Sequence, residues 1–444
     1  MRISRKSIEA IALSSFVGLL SLNGCREAAR KDSETKTKPD ATANVPAPVA
    51  QDDAKAVEEL SKAGFILKKS SDGVVTDFSI ASQSDISESL VHLKGLPNVQ
   101  TAIFTGPGIT DKGMSVISNL SKLKRLDLTD SAIGTETLKA ASEIKTLEAL
   151  MLRRTPVKDE DLAMLTSLPK LRAIDLRNSN VSDAGMTHIA KIKTLVDVQL
   201  EKSKVTDVGL AELKGLPLKS LNVNYCTTIS DSSMPMLGEM KTLESIQMDA
   251  TKLTDKGMAS LAGLSNLKRL RIRDTDVTGQ GIKHIENLKK LDRLELRGTS
   301  LDDAGLGTIA SLPAVTYVDM AECRLATPEG MKQLANLKKL TYLGFWETKF
   351  NDEVMAAIAE LGGLQELDLK ATAITDESLP SLLKLTQLRV LNLSGTQLSN
   401  DSFREMSKLP NLATLNVANT SIGFDVVDAL KEAKPELNVV EYEE

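Results

Sequence analysis

Aromatic residues are scarce in this chain of 444 residues: they make up 3%, with one tryptophan and four tyrosines. A core for so long a chain must therefore be aliphatic and spread over many similar layers, because no large aromatic cluster can be built. Three cysteines exclude a disulfide framework. Three histidines leave little for imidazole chemistry. Neither sign of charge dominates, with 55 basic against 60 acidic residues and a net of −5. Such a balance gives no global pull toward nucleic acid. The phosphate loop G-x-x-x-x-G-K-[ST], the zinc helix H-E-x-x-H and the nucleophile elbow G-x-S-x-G are all missing. No catalytic residue and no cofactor is implied, and the chain reads as a non-enzyme.

What is present begins with an address. Arg2, Arg5 and Lys6 precede a mostly apolar stretch, residues 10–22. That stretch is short of the ~20 residues a spanning helix needs, and it fits the hydrophobic part of a signal peptide over residues 1–24. Leu22-Asn23-Gly24-Cys25 resembles the lipobox of bacterial lipoproteins. The resemblance implies cleavage before Cys25, lipidation of its thiol, and a membrane anchor on an exported protein. It also implies an outer-membrane destination, because Arg26 stands where an aspartate is associated with inner-membrane retention. Residues 25–53 then read as the lipidated cysteine and a flexible tether: rich in Lys, Asp, Thr, Ala and Pro, they show no hydrophobic period. Its reach is roughly 30 Å.

From Val75 onward one phrase recurs: L-x-x-L-x-L-x-x-T-x-I-x-D-x-G-L-x-x-L-x-x-L-x-x. It restarts fifteen times, from Val75 to Leu412, at spacings of 23 to 25 residues, and a partial sixteenth begins near Leu437. Positions are counted below from the first residue of this phrase. Positions 4 and 6 have strand period; positions 16, 19 and 22 have helical spacing. One unit cannot bury both of its faces, so neighbours must stack. The phrase matches the leucine-rich-repeat signature. Thr206-Asp207-Val208-Gly209-Leu210 and Tyr225-Cys226-Thr227-Thr228-Ile229-Ser230-Asp231 resemble the cysteine-containing class of that repeat, as found in repeat-rich bacterial lipoproteins. The fold class expected is an α/β solenoid: a horseshoe with a parallel sheet on its concave face and helices on its convex face. About fifteen repeats fill residues 75–436.

Residues 54–74 read as an N-terminal lid, a helix followed by a hairpin, in which Val57 and Leu60 face inward. Residues 437–444 form the other lid, and Leu430, Leu437, Val439 and Tyr442 close that end of the stack. Asp at position 13 (Asp159, Asp183, Asp207, Asp255, Asp303, Asp352 and Asp376) is placed to cap the helix that follows. Thr or Ser at position 9 is placed to bond backbone after the strand. His92, His188 and His284 all fall at position 18 on the helix side, four repeats apart. Cys226 and Cys323 occupy position 9, also four repeats apart and beyond disulfide reach. No metal site follows from any of them, and the aspartate column lacks the alternating acids of a calcium loop.

Binding is expected on the concave sheet, at positions 3, 5, 7 and 8. Tyr317 and Tyr342 share position 3 of neighbouring repeats, Trp346 has position 7 and Tyr225 position 8. Arg269, Arg271 and Arg273 occupy positions 3, 5 and 7 of one repeat; Arg293 and Arg297 take 3 and 7 of the next. Glu295, Asp274 and Asp319 partly neutralise them. Arg153, Arg154 and Arg177 form a smaller basic patch. Exposed aromatics and arginine are enriched at recognition hot spots. The partner expected is a protein with acidic groups beside a planar or apolar surface; an anionic glycan or wall polymer is the alternative. A solvated ladder of cross-strand ion pairs, with no ligand, accounts for the charges equally well. An adaptor role lacks a recruiting domain, and a purely mechanical spacer is a further alternative.

Overall fold

Each strand is short because the sequence ends it twice. In most repeats the strand spans positions 3 to 5, as in Arg125–Asp127 and Tyr317–Asp319. An Asp or Asn at position 5 then bends its side chain back to accept the amide of position 7, as Asp127 does from Thr129 (3.1 Å) and Asn222 from Asn224 (2.9 Å). Position 8 follows in the left-handed region: Arg154, Lys202, Tyr225 and Glu347 have φ between 52° and 58°. This conformation costs a residue with a Cβ about 1–2 kcal/mol. It turns the chain so that the amide of position 8 reaches the next repeat, as Arg154 N does to the Arg177 carbonyl at 3.0 Å.

The computed structural model describes residues 49–442. The signal segment, Cys25 and most of the tether lie outside the described residues. From Ala50 onward the chain is one unit. Its seventeen strands form one open sheet in chain order. Ile66–Lys69 and Val75–Ala81 pair antiparallel, and every later pair is parallel. The register is one repeat per strand: Leu270 faces Leu294, and Val318 faces Leu343. One hydrophobic core runs unbroken from Leu60 to Leu437. The helix side mixes short α-helices with 3-10 turns, such as Asp183–Ile189 and Leu90–Gly95. None of the described helices is long and apolar enough to cross a membrane.

The position-9 hydroxyls bond backbone as expected. Thr155 Oγ1 donates to the Leu152 carbonyl and Thr275 Oγ1 to that of Ile272, both at 2.7 Å. Cys226 and Cys323 are buried and free. Their thiols point to the preceding repeat instead, at 3.2 Å from the Leu200 and Leu296 carbonyls.

The aspartates do not cap their own helices. Position 13 is already the first helical residue, as at Asp183, Asp207 and Asp255. The cap is the hydroxyl one residue earlier: Thr206 Oγ1 accepts from Val208 N at 3.2 Å. The aspartate reaches forward into the next repeat. Asp183 accepts from both the amide and the hydroxyl of Thr206, each at 2.7 Å. Asp159, Asp207, Asp255, Asp303, Asp352 and Asp376 accept the corresponding amide in their own next repeats. The recurring Thr-Asp thus forms a ladder of staples along the helix side.

At the N-terminal end, Asp53 caps helix Ala54–Lys62 through Lys55 N at 2.8 Å. Leu60 is fully buried and Val57 packs partly against the core. At the other end Leu430 and Leu437 are buried, but Tyr442 is 75% exposed and does not close the stack. It follows the last ladder residue among those described, Val440.

Candidate binding surface on the concave sheet

Strict register brings the residues of the candidate patch side by side. Arg269, Arg293, Tyr317, Tyr342 and Glu366 are successive partners across position 3. The two tyrosine rings stack with centroids 3.9 Å apart and planes 6° from parallel. The Arg293 guanidinium lies 3.6 Å from the Tyr317 centroid, continuing the column. Trp346 carries two cations over its ring, Arg297 at 4.6 Å and Lys370 at 5.0 Å. Stacked rings and cation–π pairs add on the order of 1 kcal/mol each beyond area burial. Burial pushes both tyrosine hydroxyls above their ordinary pKa.

The five arginines are not a free basic cluster. Glu295 sits under three of them: it pairs with Arg293 at 2.7 Å, with Arg273, and with Arg271 at 3.8 Å. Arg273 also reaches Asp319 at 3.0 Å. Arg271 pairs with the fully buried Asp249 at 2.5 Å, and Arg297 with Glu322 at 2.6 Å. Burial holds Asp249 and Asp319 above the usual carboxylate range. Burial works against the Arg273 charge, but Glu295 and Asp319 outweigh it and its pKa rises. Of the five, Arg269 alone has no ion pair within 4 Å among the described residues, and it is exposed. The neutralisation expected from Glu295 and Asp319 is joined by Asp249 and Glu322, so four acids hold four of the five arginines. Asp274, placed by the sequence among the neutralising acids, forms none of these bridges.

Two donors in the patch, Trp346 Nε1 and Arg273 Nε, are buried without an acceptor among the described residues. A buried unpaired donor costs about 1–3 kcal/mol. Gly344 lies two residues before Trp346 and faces Asp319 across the ladder. A Cβ there would lie 2.9 Å from the Tyr342 hydroxyl oxygen and 3.3 Å from Asp319 Oδ1, so the glycine makes room for the leaning tyrosine.

The smaller patch behaves in the same way. Arg154 pairs with Asp130, and Arg177 with Asp175 at 2.6 Å. Arg153 is left with a buried Nε and a pKa lowered by burial and by its two arginine neighbours. Tyr225 stands apart, 42% exposed, with Lys202 over its ring at 5.0 Å. The histidines lie on the helix side. Among the described residues no group of three or more His, Cys, Asp or Glu could hold a metal ion. Asp249, Glu322 and Lys370 are the patch members that sequence reasoning missed. Their signal was available: each falls at position 7 or 8 within two repeats of the aromatic or arginine it serves.

Residues 303–439 match the family model of a leucine-rich repeat region. No curated protein matches the chain. A leucine-rich-repeat protein of Leptospira interrogans shares 20% identity over 78% of this chain and 91% of its own, with a TM-score of 0.52. The ectodomain of the Arabidopsis receptor kinase HAESA, solved with an extended IDA peptide hormone, shares 15% over 87% of this chain and 73% of its own, also at 0.52. The fold is a leucine-rich-repeat solenoid. At these identities the likeness extends to the fold alone. Within this solenoid the aromatic and arginine residues occupy the sheet face between the Leu267 and Leu340 repeats.

Proposed function

We propose that this protein is an exported, lipid-anchored binding protein that takes a protein partner on the concave face of its solenoid. The observation that carries the reading is the ordered stack of Arg293, Tyr317 and Tyr342 beside Trp346 on the sheet face. Aromatic and arginine side chains held rigid before contact lose little entropy on binding. The internal ion pairs suit a mixed-charge protein surface better than a strongly acidic one. They also argue against a glycan. Sugar stacking needs an open ring face, and Tyr317 is covered by Arg293 and Tyr342, while two cations lie over Trp346. The HAESA ectodomain, of the same fold, is solved with a peptide hormone bound, and a peptide-like partner is in keeping with that.

Photo-cross-linkers at Arg269 and Glu366, on the concave face, test the reading against one at Lys283 on the helix side. In native envelopes the first two are expected to capture the same protein and the third not to. Trp346→Ala should reduce that capture at least tenfold. The same capture from both faces, or capture indifferent to Trp346→Ala, overturns the proposal. Anchorage through Cys25 is checked by the mass of the mature N terminus, which must carry acyl chains.

A further inference from the structure

We propose a second surface: the basic rim of the solenoid, where helices end and strands begin, docks on an anionic lipid surface. The rim is built by the repeat. Position 2 of each unit bonds the backbone of position 2 in the unit before, as Glu148 N does to the Lys124 carbonyl at 2.7 Å and Arg172 N to that of Glu148 at 2.8 Å. Lys124 and Arg172 are therefore neighbours two steps apart along the rim, at about 4.8 Å per step. Lys122, Lys145, Lys170 and Lys193 flank them, and all six are exposed. Only Glu143 and Glu148 oppose them on this stretch. Lys170, Arg172 and Glu148 also line a shallow concavity of about 400 Å³ with Pro169, Thr194 and Val196.

Helix ends attract cations for a purely structural reason, since their carbonyls are unpaired. Some rim lysines do that work: Lys145 Nζ donates to the Ser142 carbonyl at 2.8 Å and Lys193 Nζ to that of Ala190 at 2.7 Å. Lys124, Lys170 and Arg172 do not. Among the described residues they form no ion pair within 4 Å and no side-chain hydrogen bond. Their charge is available. Lys289, Lys290, Lys338 and Lys339 carry the same sign farther along the same rim, whereas the opposite rim carries the aspartate ladder. A solenoid polarised across its width presents one long edge to a charged plane. No aromatic side chain interrupts this basic stretch to stack a nucleobase. The inference stands apart from the concave-face reading; the proposed anchor at Cys25 favours a membrane over a dissolved polyanion.

The test is co-sedimentation of the full chain carrying Cys25→Ser, so that acylation contributes nothing. Vesicles of phosphatidylcholine are compared with vesicles in which about a third is phosphatidylglycerol. Binding is expected to be stronger on the anionic vesicles and to weaken with salt. Removing three cations should cost roughly 100-fold in partitioning, at about a factor of five each near an anionic leaflet, and the variant Lys124→Glu/Lys170→Glu/Arg172→Glu should lose more than that because it also adds three like charges. The matched variant Lys252→Glu/Lys256→Glu/Lys349→Glu, on the opposite rim, should stay within about threefold of the parent. Lys124→Gln/Lys170→Gln/Arg172→Gln, with an unchanged urea midpoint, should fall between. Equal losses in the two charge-reversed variants would reduce the effect to net charge and overturn the rim assignment. Patch-dependent binding of soluble polyphosphate without a preference for anionic vesicles would overturn the lipid assignment in favour of a dissolved polyanion.

Discussion

At the scale of the residue, Thr-Asp-x-Gly is a joint between two repeats. The threonine caps its own helix, the aspartate grips the next threonine, and the glycine leaves space for the aspartate from behind. A Cβ on Gly281 would stand 2.4 Å from Asp255 Oδ1, and one on Gly330 would stand 2.1 Å from Asp303 Oδ1. Where the preceding repeat supplies the aspartate and this position is not glycine, it is a hydroxyl residue that donates to that carboxylate. Thr137 Oγ1 does so to Asp111 at 2.6 Å, Ser378 Oγ to Asp352 at 2.5 Å and Ser402 Oγ to Asp376 at 2.6 Å. Sterics and hydrogen bonding therefore predict an unusual order. Gly281→Ala should destabilise the protein by about 1–3 kcal/mol through overpacking, whereas Gly281→Ser should cost clearly less. Urea midpoints of the two variants decide it, and an alanine variant as stable as the serine variant would remove the joint as an explanation of the motif.

At the scale of the element, the ladder of joints is interrupted at Ser87, Thr135, Gly279 and Pro328. Gly279 and Pro328 stand where the aspartate belongs, and in both cases the next repeat has changed its cap to suit. Asp302 caps by accepting Gly305 N at 3.0 Å, and Asn351 by accepting Val354 N at 3.2 Å. An aspartate in place of Gly279 would face the Asp302 carboxylate, whose Oδ1 lies 1.9 Å from where a Cβ would be. Gly279→Asp alone should thus cost about 1–3 kcal/mol, and Asp302→Thr alone under about 1 kcal/mol. Together they rebuild the joint found between Asp255 and Thr278, so the pair should couple favourably by about 1–3 kcal/mol. A double-mutant cycle in urea measures that coupling; simple additivity would contradict it. These joints also mark how far the sequence can be read. The period made strands, helices and the stacked core legible, because burial repeats at fixed positions. It placed Asp183 near a helix start but could not show which helix it serves, since its partner Thr206 lies 23 residues on. The candidate patch was legible as a set of neighbours for the same reason. Its charge was not: Asp249 and Glu322 belong to other repeats, and they neutralise Arg271 and Arg297 only once the strands lie side by side.

At the scale of the whole molecule, a solenoid is stable through the sum of its neighbour interfaces, and the weakest interface opens first. The joints are continuous from Asp159 through Asp255. Two gaps lie at Ser87 and Thr135 nearer the N-terminal end, and two others fall between the Leu267 and Leu291 repeats and between the Val315 and Leu340 repeats. These last are the units whose concave side holds Arg269, Arg293, Tyr317, Tyr342 and Trp346. The proposed binding surface is thus backed by a stretch of helix side with two staples missing, where opening by a small amount would let stacked side chains on the sheet adjust to a partner. Native-state hydrogen exchange should show faster exchange for helix-side amides of the Leu267 to Leu340 repeats than for those of the Leu147 to Leu243 repeats. The Gly279→Asp/Asp302→Thr variant should slow exchange at the Gly279 gap and leave the Pro328 gap unchanged. Uniform protection along the solenoid would mean that core packing alone sets local stability, and that the coincidence of gaps and candidate surface carries no mechanical meaning.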